Sequence, residues 1–236
     1  MEITSLQNNK VKYWVSLSNK KVRDKEKVFL IEGNHLVSEA IKSGLIVEVI
    51  STVDKNADFY VTKDIMKKIS NQKSISEVAA VVKFFKEEKV DGNILIIDAL
   101  QDPGNLGTII RSAVAFNFKN IVLSSDSVDQ YNDKVIRASE GMIFNVNIVR
   151  RNLISYLPKL KKDGIKIVGT DVVNGVSIKN VRSKNIALVI GNEGVGMSEY
   201  VKNECNVLVN IPINNECESL NASVAASILM YEVSNG

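Results

Sequence analysis

The feature that most constrains the fold of this chain is a series of short Val, Ile and Leu runs that begins near residue 91. Each run has the length of a strand, and stretches with helical spacing separate the runs. Near-continuous apolar strands that alternate with helices are typical of a parallel sheet covered on both faces. We therefore predict an α/β fold with strands at Ile94–Asp98, Asn120–Leu123, Val146–Val149, Ile165–Thr170, Ile186–Ile190 and Val207–Ile211.

A change of composition within Lys83–Gly92 indicates a domain boundary. This polar segment joins an alternating apolar stretch to the first strand of the parallel sheet. We place the boundary near residue 90, which gives domains 1–90 and 91–236. The first domain is predicted to be a small α/β domain with strands around Val28–Ile31 and Ile46–Ile50 and helices at Asn34–Ser43 and Asp64–Ile69.

The composition argues against a membrane protein and against a secreted one. The longest apolar runs, such as Ile94–Ile97 and Ala187–Ile190, are far shorter than the roughly 20 residues that span a bilayer. The N-terminus is polar and lacks an apolar signal-peptide core. The two cysteines, Cys205 and Cys217, lack the paired spacing of a zinc site. We expect a cytoplasmic protein with reduced thiols, no membrane segment and no bound metal.

Positive charge is concentrated at the front of the chain. Residues 1–30 carry seven Lys or Arg residues against three acidic residues, whereas the whole chain has a net charge of +3. A phosphate backbone is one partner for such a segment, and a solvated Lys-rich helix is the alternative. The candidate RNA-binding residues are Lys10, Lys12, Lys20, Lys21 and Arg23.

Three polar loops follow predicted strands of the second domain. They are Asp102-Pro-Gly-Asn-Leu-Gly-Thr-Ile-Ile-Arg111, the Gly191–Ser198 stretch and Ile211–Asn221. Ligands of open parallel sheets bind outside the carboxyl ends of the strands. The three loops are therefore predicted to form one composite site.

The first two loops each allow a functional and a structural interpretation. Arg111 lies two turns into a mostly apolar helix, so it either grips a substrate phosphate or forms a salt bridge to Asp98, Asp102 or Glu193. The second loop has three glycines around Glu193, which permit close approach of a ligand to the backbone. It matches neither a dinucleotide fingerprint nor a Walker loop, and a plain turn is its structural alternative.

The third loop is longer than a simple connection requires. Ser219 and Asn221 stand at the opening of the last helix, and capping alone would explain Ser219. Capping does not explain about ten mostly polar residues, since connections in such domains usually run about 2 to 6 residues. The only histidine, His35, lies in the first domain, so imidazole-based hydrolysis and most zinc catalysis are disfavoured. A reaction that depends on positioning two reactants fits better.

In their order and separation, the three loops resemble the motifs of the SpoU/TrmH family of RNA ribose 2'-O-methyltransferases. Residues 1–33, including Ile3–Lys12 and Phe29–Gly33, are similar to the start of that family's RNA substrate-binding domain, which has a ribosomal-protein-like α/β fold. Residues 91–236 resemble its SPOUT domain. Arg137-Ala-Ser-Glu-Gly141 also matches a segment between the family's first two motifs.

The resemblance implies S-adenosylmethionine as methyl donor and a ribose 2'-hydroxyl of structured RNA as acceptor, with ribosomal RNA ahead of transfer RNA. It also implies a homodimer and a deep trefoil knot in the parallel sheet. Donor contacts are implied for Thr170, Gly191, Ile211 and Leu220. Catalytic or RNA-contacting roles are implied for Asn105, Arg111, Glu193, Ser219 and Asn221. The resemblance implies that Arg111 is the base that takes the proton of the 2'-hydroxyl. Because guanidinium stays protonated in proteins, we give equal weight to a role in which Arg111 binds the substrate phosphate.

Two positions of the donor site carry more specific expectations. A side chain at Gly191 is expected to intrude on the bound donor. Asn215 stands where the family usually has Gly, and Asn can adopt the left-handed conformation.

Two other functional classes compete with the methyltransferase. A non-catalytic dimeric RNA-binding protein would not need Arg111, Glu193 and Asn221 together. A nucleotide-dependent α/β enzyme unrelated to RNA would need a phosphate loop, which this sequence lacks.

Overall fold

The computed structural model describes residues 1–70, 74–172, 175–181 and 185–235. The chain forms two compact units. The first unit comprises Met1–Lys86 and Tyr131–Phe144, and the second comprises Glu87–Gln130 and Asn145–Gly236. The chain therefore leaves the second unit once and returns to it. We call Tyr131–Phe144 the inserted segment; the composition change near residue 90 did not reveal it.

Strands and helices alternate along most of the chain. The strands are β1 (Glu2–Ile3), β2 (Val28–Glu32), β3 (Ile46–Ser51), β4 (Phe59–Val61), β5 (Val78–Lys83), β6 (Ile94–Ile97), β7 (Asn120–Ser124), β8 (Asn147–Arg151), β9 (Lys166–Thr170), β10 (Val176–Ser177), β11 (Ile186–Ile190) and β12 (Val207–Asn210). The helices are α1 (Asn9–Ser16), α2 (Lys20–Glu26), α3 (Asn34–Ser43), α4 (Lys63–Ile69), α5 (Pro103–Ala115), α6 (Asp133–Ala138), α7 (Leu153–Lys162), α8 (Glu199–Glu204) and α9 (Ala222–Asn235).

The first unit is built on a mixed five-stranded sheet in the order β1-β4-β3-β5-β2. Helix α3 has the predicted bounds, and Gly44 ends it with a φ of 70°, a conformation that glycine adopts without strain. The core centres on Trp14, which is fully buried. Its indole Nε1 donates a hydrogen bond to Glu48 Oε1 at 2.5 Å, so the polar atom of this large side chain is satisfied inside the core.

Aromatic packing explains why the inserted segment belongs to the first unit. The ring of Tyr131 stacks on Phe84 with a centroid distance of 3.7 Å and lies 4.9 Å from Phe29. Its hydroxyl oxygen accepts a hydrogen bond from the backbone N–H of Phe85 at 3.0 Å. At the other end, Phe144 meets Phe85 edge to face at 5.7 Å. These contacts join both ends of the segment to β2 and to the residues that follow β5.

The second unit contains a seven-stranded sheet in the order β10-β12-β9-β11-β6-β7-β8. Every neighbouring pair is parallel, and all residues of β6 and β11 are buried. The predicted parallel α/β fold is therefore confirmed. Among the described residues, no helix combines the length and the apolar character needed to cross a bilayer.

The strand order brings the three predicted loops to one edge of the sheet. Strands β6, β11, β9 and β12 are adjacent, and the three loops follow β6, β11 and β12. Helices α5 and α9 run side by side in the same direction. Hydrogen bonds join Asn221 to Asn105, Ser227 to Ser112 and Ser234 to Phe116 in turn along the two helices. Both helices thus begin at the carboxyl edge.

Candidate active site

A cavity of about 490 Å³ lies at the carboxyl ends of β9, β11 and β12. This volume is within the range of small-molecule sites. All four residues predicted to contact a donor, Thr170, Gly191, Ile211 and Leu220, line it. Glu193 and Ser219 also line it, so the second and third loops form one site.

The cavity combines apolar walls with a mostly acidic set of charged groups. The buried side chains of Ile190, Val209 and Leu229 contribute apolar surface. The charged lining residues are Asp171, Glu193, Glu199 and Lys202. Lys202 Nζ lies 2.5 Å from Asp171 Oδ2. The hydrogen bond and charge of Asp171 raise the pKa of the Lys202 ammonium, so Lys202 stays charged at neutral pH.

Gly191 is required by the loop's own backbone. A Cβ at this position would lie 2.3 Å from the backbone carbon of Gly196 and 2.3 Å from the backbone nitrogen of Met197. The chain closes there because the backbones of Asn192 and Gly196 exchange two hydrogen bonds of 2.9 and 3.0 Å. A side chain at Gly191 would therefore collide with the loop itself, and its expected intrusion on the bound donor stays a prediction.

Glu193 crosses from the second loop to the first and accepts hydrogen bonds there. Its Oε1 accepts from the backbone N–H of Asp102 at 2.9 Å and from Asn105 Nδ2 at 3.2 Å. Its Oε2 accepts from the backbone N–H of Gln101 at 3.2 Å. Desolvation by burial acts to raise the pKa of Glu193, but the hydrogen bonds outweigh it and lower the pKa below its ordinary value. Glu193 is therefore an ionised acceptor and a poor proton donor at neutral pH.

A chain of side-chain hydrogen bonds continues from Glu193 into the third loop. Asn105 Oδ1 accepts from Asn221 Nδ2 at 3.0 Å. Asn221 Oδ1 in turn accepts from the backbone N–H of Ser223 at 2.9 Å, which caps the start of α9. We call Glu193, Asn105 and Asn221 the polar triad. It joins the three loops that the sequence predicts to form one site.

Ser219 lines the cavity but does not cap the last helix, because Asn221 does so. Its carbonyl oxygen accepts a hydrogen bond from Cys217 Sγ at 3.2 Å. In the same loop Asn215 is not among the residues with positive φ, so it does not use the left-handed conformation that Asn can adopt. The Asn214 carbonyl instead accepts from the backbone N–H of Cys217 at 2.9 Å and closes an ordinary turn.

The structure does not bring Arg111 into contact with the other predicted catalytic residues. It is exposed on α5, about two turns beyond Asn105. Within the described part of the chain, its guanidinium makes no hydrogen bond or ion pair. The structural alternative, a salt bridge to Asp98, Asp102 or Glu193, is thus not formed. Asp98 accepts from the backbone N–H of Ser198 instead, at 2.8 Å.

Sequence reasoning missed the residue that shapes the second loop. Asn192 Oδ1 accepts from the backbone N–H groups of Gly194 at 2.9 Å and Val195 at 3.2 Å. Its Nδ2 donates to the carbonyl of Ala99 at 2.8 Å. The available signal was its place between Gly191 and Glu193, where a short amide side chain can bond to its own backbone. Gln101, whose contacts are described below, carried no such signal.

The predicted RNA-binding residues have unequal surroundings. Arg23 is 7% exposed, and its guanidinium donates to the carbonyls of Leu17 at 2.9 Å and Ser18 at 2.7 Å. Burial and these bonds give Arg23 a structural role, and its assignment to the RNA surface stays a prediction. Lys10 pairs with Glu48 at 2.6 Å and Lys20 with Asp24 at 2.5 Å. Lys12 and Lys21 are exposed, and neither has an ion pair with a described residue.

No group of three or more His, Cys, Asp or Glu side chains among residues 1–70, 74–172, 175–181 and 185–235 is arranged to hold a metal ion. The metal-free reaction stays a prediction. Burial raises the pKa of the Cys205 thiol to about 11, so this cysteine is protonated and unreactive at neutral pH.

Comparison with known proteins covers both units. Residues 92–231 match the family model described as the SpoU rRNA Methylase family, and residues 8–80 match the MRM3-like substrate binding domain. The 23S rRNA (guanosine(2553)-2'-O)-methyltransferase RlmP of Bacillus subtilis (strain 168) is 37% identical, over 98% of this chain and 98% of that protein. A putative TrmH family tRNA/rRNA methyltransferase of Staphylococcus aureus is 32% identical over 86% of this chain and 94% of that protein.

Solved structures agree with these sequence matches. The AdoMet-bound rRNA methyltransferase from Sinorhizobium meliloti superposes with a TM-score of 0.90 at 27% identity, over 100% of this chain and 97% of that chain. The SpoU methyltransferase AviRb from Streptomyces viridochromogenes, in complex with AdoMet, superposes with a TM-score of 0.86 at 25% identity, over 97% and 98%.

Proposed function

Because this chain belongs to the SpoU rRNA methylase family, we propose that it transfers a methyl group from S-adenosylmethionine to a ribose 2'-hydroxyl of ribosomal RNA. The observation that carries this proposal is the polar triad at a nucleoside-sized cavity. It joins three loops that are far apart in the sequence. The similarity to an rRNA 2'-O-methyltransferase over 98% of both chains supports the ribosomal substrate.

The residues of the cavity suit S-adenosylmethionine. The donor supplies a methyl group that is already activated on a positively charged sulfonium. Thr170, Gly191, Ile211 and Leu220 are the residues that we assign to hold it. Apolar walls favour an adenine ring, and the excess of carboxylates over ammonium groups in the lining favours a ligand with positive charge.

The polar triad orients the site and does not act as a proton acceptor. Its carboxylate is committed to three donors, so Glu193 fixes the amide of Asn105 and, through it, that of Asn221. Ser219 lies at the cavity wall, and we assign its hydroxyl to contact the RNA. Arg111 carries an exposed guanidinium whose planar fork matches a phosphate, and we assign it to the phosphate beside the methylated ribose.

RNA recognition is assigned to residues 1–90 and methyl transfer to residues 91–236. The match of residues 8–80 to a substrate binding domain supports the first assignment. Lys12 and Lys21 are the two predicted lysines whose charges are not compensated by a described carboxylate, so they are the best candidates for phosphate contacts. Lys10 and Lys20 contribute less because their charges are paired.

A homodimer is part of the proposal. Helix α9 exposes Val224, Ile228 and Tyr231, which are spaced so that they share one face of the helix. An apolar face of this kind favours a second protein surface over water. Sedimentation should therefore give twice the chain mass of 26.0 kDa, whereas a monomer at micromolar concentration would contradict the dimer. A cytoplasmic location and a trefoil knot complete the proposal.

Methyl transfer to purified RNA tests the substrate. Labelled S-adenosylmethionine should methylate ribosomal RNA from cells that lack the protein. Ribosomal RNA from cells that contain the protein should accept little label, because the target ribose already carries a methyl group. Transfer of label to transfer RNA alone would contradict the ribosomal assignment, and no transfer to any RNA would favour a non-catalytic binding protein.

A further inference from the structure

The turn between β6 and α5 holds Glu193 in an unusual way. The backbone N–H groups of Gln101 and Asp102 both point at its carboxylate, with distances of 3.2 and 2.9 Å. The turn begins at Ala99, which has a φ of 56°. This left-handed conformation disfavours residues with a side chain. Contacts outside the turn must therefore hold the two amides in place.

The side chain of Gln101 makes one contact within the turn and one outside it. Its Nε2 donates to the carbonyl of Ala99 at 3.0 Å and to the carbonyl of Asp126 at 3.0 Å. One amide group therefore bridges the strained end of the turn and the loop that follows β7. Gln101 thus uses its backbone to bind Glu193 and its side chain to fix that backbone.

The loop that follows β7 is itself held firmly. Arg150, on β8, donates to the carbonyls of Ser124, Ser127 and Val128, each at 2.8 Å. The backbone N–H of Val128 donates to the carbonyl of Leu100 at 2.8 Å. The Asp126 carbonyl that Gln101 binds therefore belongs to a loop that hydrogen bonds fasten to β8 of the seven-stranded sheet.

We propose that Gln101 is a positioning residue for methyl transfer, which holds the turn 99–102 so that Glu193 and the rest of the polar triad keep their geometry. This inference rests on the proposed methyltransferase function for its kinetic consequence. Its structural part, that the Gln101 side chain sets the hydrogen bonding of Glu193, does not depend on that function. Gln101 lies outside the cavity lining, so a change there leaves the donor contacts in place.

Gln101→Met removes the two side-chain hydrogen bonds and keeps the side-chain length, because methionine is about as long as glutamine and has no donor. We expect kcat to fall between about 10-fold and about 100-fold, since small displacements in an active site have effects of this size. The Kd for S-adenosylmethionine should change less than about twofold. Because the amides would bind the carboxylate less well, the pKa of Glu193, measured by NMR titration, should rise towards its ordinary value. Gln101→Lys restores a donor that reaches carbonyl oxygens and should recover part of kcat.

Gln130→Met is the matched control, since Gln130 ends the same supporting loop. Its Oε1 accepts from Arg150 at 3.0 Å, while Arg150 keeps its backbone acceptors. Neither kcat nor the pKa of Glu193 should change in this variant. An unchanged Glu193 pKa in Gln101→Met, or an unchanged kcat despite a raised pKa, would overturn the positioning role. If the wild-type protein methylates no RNA, the proposed function fails, and the Glu193 titration alone decides whether Gln101 organises the site.

Discussion

The two units differ in how far their functional residues depend on the fold. In the second unit, the predicted residues Asn105, Glu193 and Asn221 come from three distant loops and form one hydrogen-bonded triad. In the first unit, the predicted basic residues lie close together in the sequence. Their surroundings nevertheless differ, from the buried Arg23 to the exposed Lys12. The strand order of the second unit brings its three loops together. In the first unit, nearness in the sequence does not give the basic side chains the same exposure or the same partners.

The two units also differ in the interactions of their predicted functional residues. At the site, neutral amides and one ionised carboxylate make short, directed hydrogen bonds that define positions. On the first unit, the exposed lysines are proposed to bind RNA through charge, an interaction that salt screens and that requires little geometry. Conservative substitutions should therefore be severe at the site and mild on the basic surface.

Arg111→Lys should give the largest effect, because it keeps the charge and removes the planar fork. We expect single-turnover methyl transfer to fall about 100-fold with donor affinity unchanged. Arg151→Lys is the control: its partner Glu87 lies 2.8 Å away in an exposed ion pair, so the rate should change less than about threefold. Equal activity of Arg111→Lys and the wild type would show that bidentate orientation is not needed.

The double variant Lys12→Ala with Lys21→Ala should give an intermediate effect. We expect RNA affinity at low salt to fall about tenfold and the salt dependence of log Kd to lose about two units of slope, because two phosphate contacts disappear. Lys20→Ala with Lys25→Ala removes the same charge from residues paired with Asp24 and Glu26. Equal losses in both double variants would mean that net charge alone governs RNA binding.

Glu193→Gln should give the smallest effect when stability is measured against pH. The folded-state pKa of Glu193 is lowered, so its contribution to stability is present above the ordinary pKa of about 4.3 and is lost as the pH falls through the folded-state value. As the pH falls through the folded-state pKa of Glu193, the Tm of the wild type should fall further than the Tm of the variant. The difference should be about 1–2 °C after allowance for solvent screening.

Glu199→Gln is the control for this pH profile, because Glu199 also lines the cavity but makes no side-chain hydrogen bond among the described residues. Its Tm should follow the wild-type curve. Parallel curves for Glu193→Gln and the wild type would exclude the hydrogen bonds to the turn as a source of stability.

Much of the second unit could be predicted from its sequence. The apolar runs predicted six strands of the sheet within a few residues, because buried parallel strands need continuous apolar sequence. The family and the methyltransferase class, which the three loops predicted, are confirmed. Helix α8, which follows the second loop, begins at Glu199. The Ser198 amide that would join its first turn is instead bound by Asp98, a contact between residues far apart in the sequence.

The remaining differences also arise from packing that the sequence pattern does not report. Burial of Arg23 depends on carbonyls presented by a turn, and the steric role of Gly191 depends on a closed loop five residues further on. The inserted segment belongs to the first unit through aromatic contacts with Phe29, Phe84 and Phe85. Composition and periodicity report the tendencies of single helices and strands, whereas these contacts depend on how turns, loops and aromatic side chains pack in the folded chain.

The most direct test of ribose methylation is methyl transfer to an RNA with a single 2'-deoxy nucleotide at the methylated position, once mapping has identified that position. We predict that this RNA binds with nearly normal affinity and accepts no methyl group, while the matching all-ribose RNA is methylated. The product of the all-ribose RNA should resist alkaline cleavage at that one linkage. Methylation of the deoxy RNA on its base would contradict the ribose assignment.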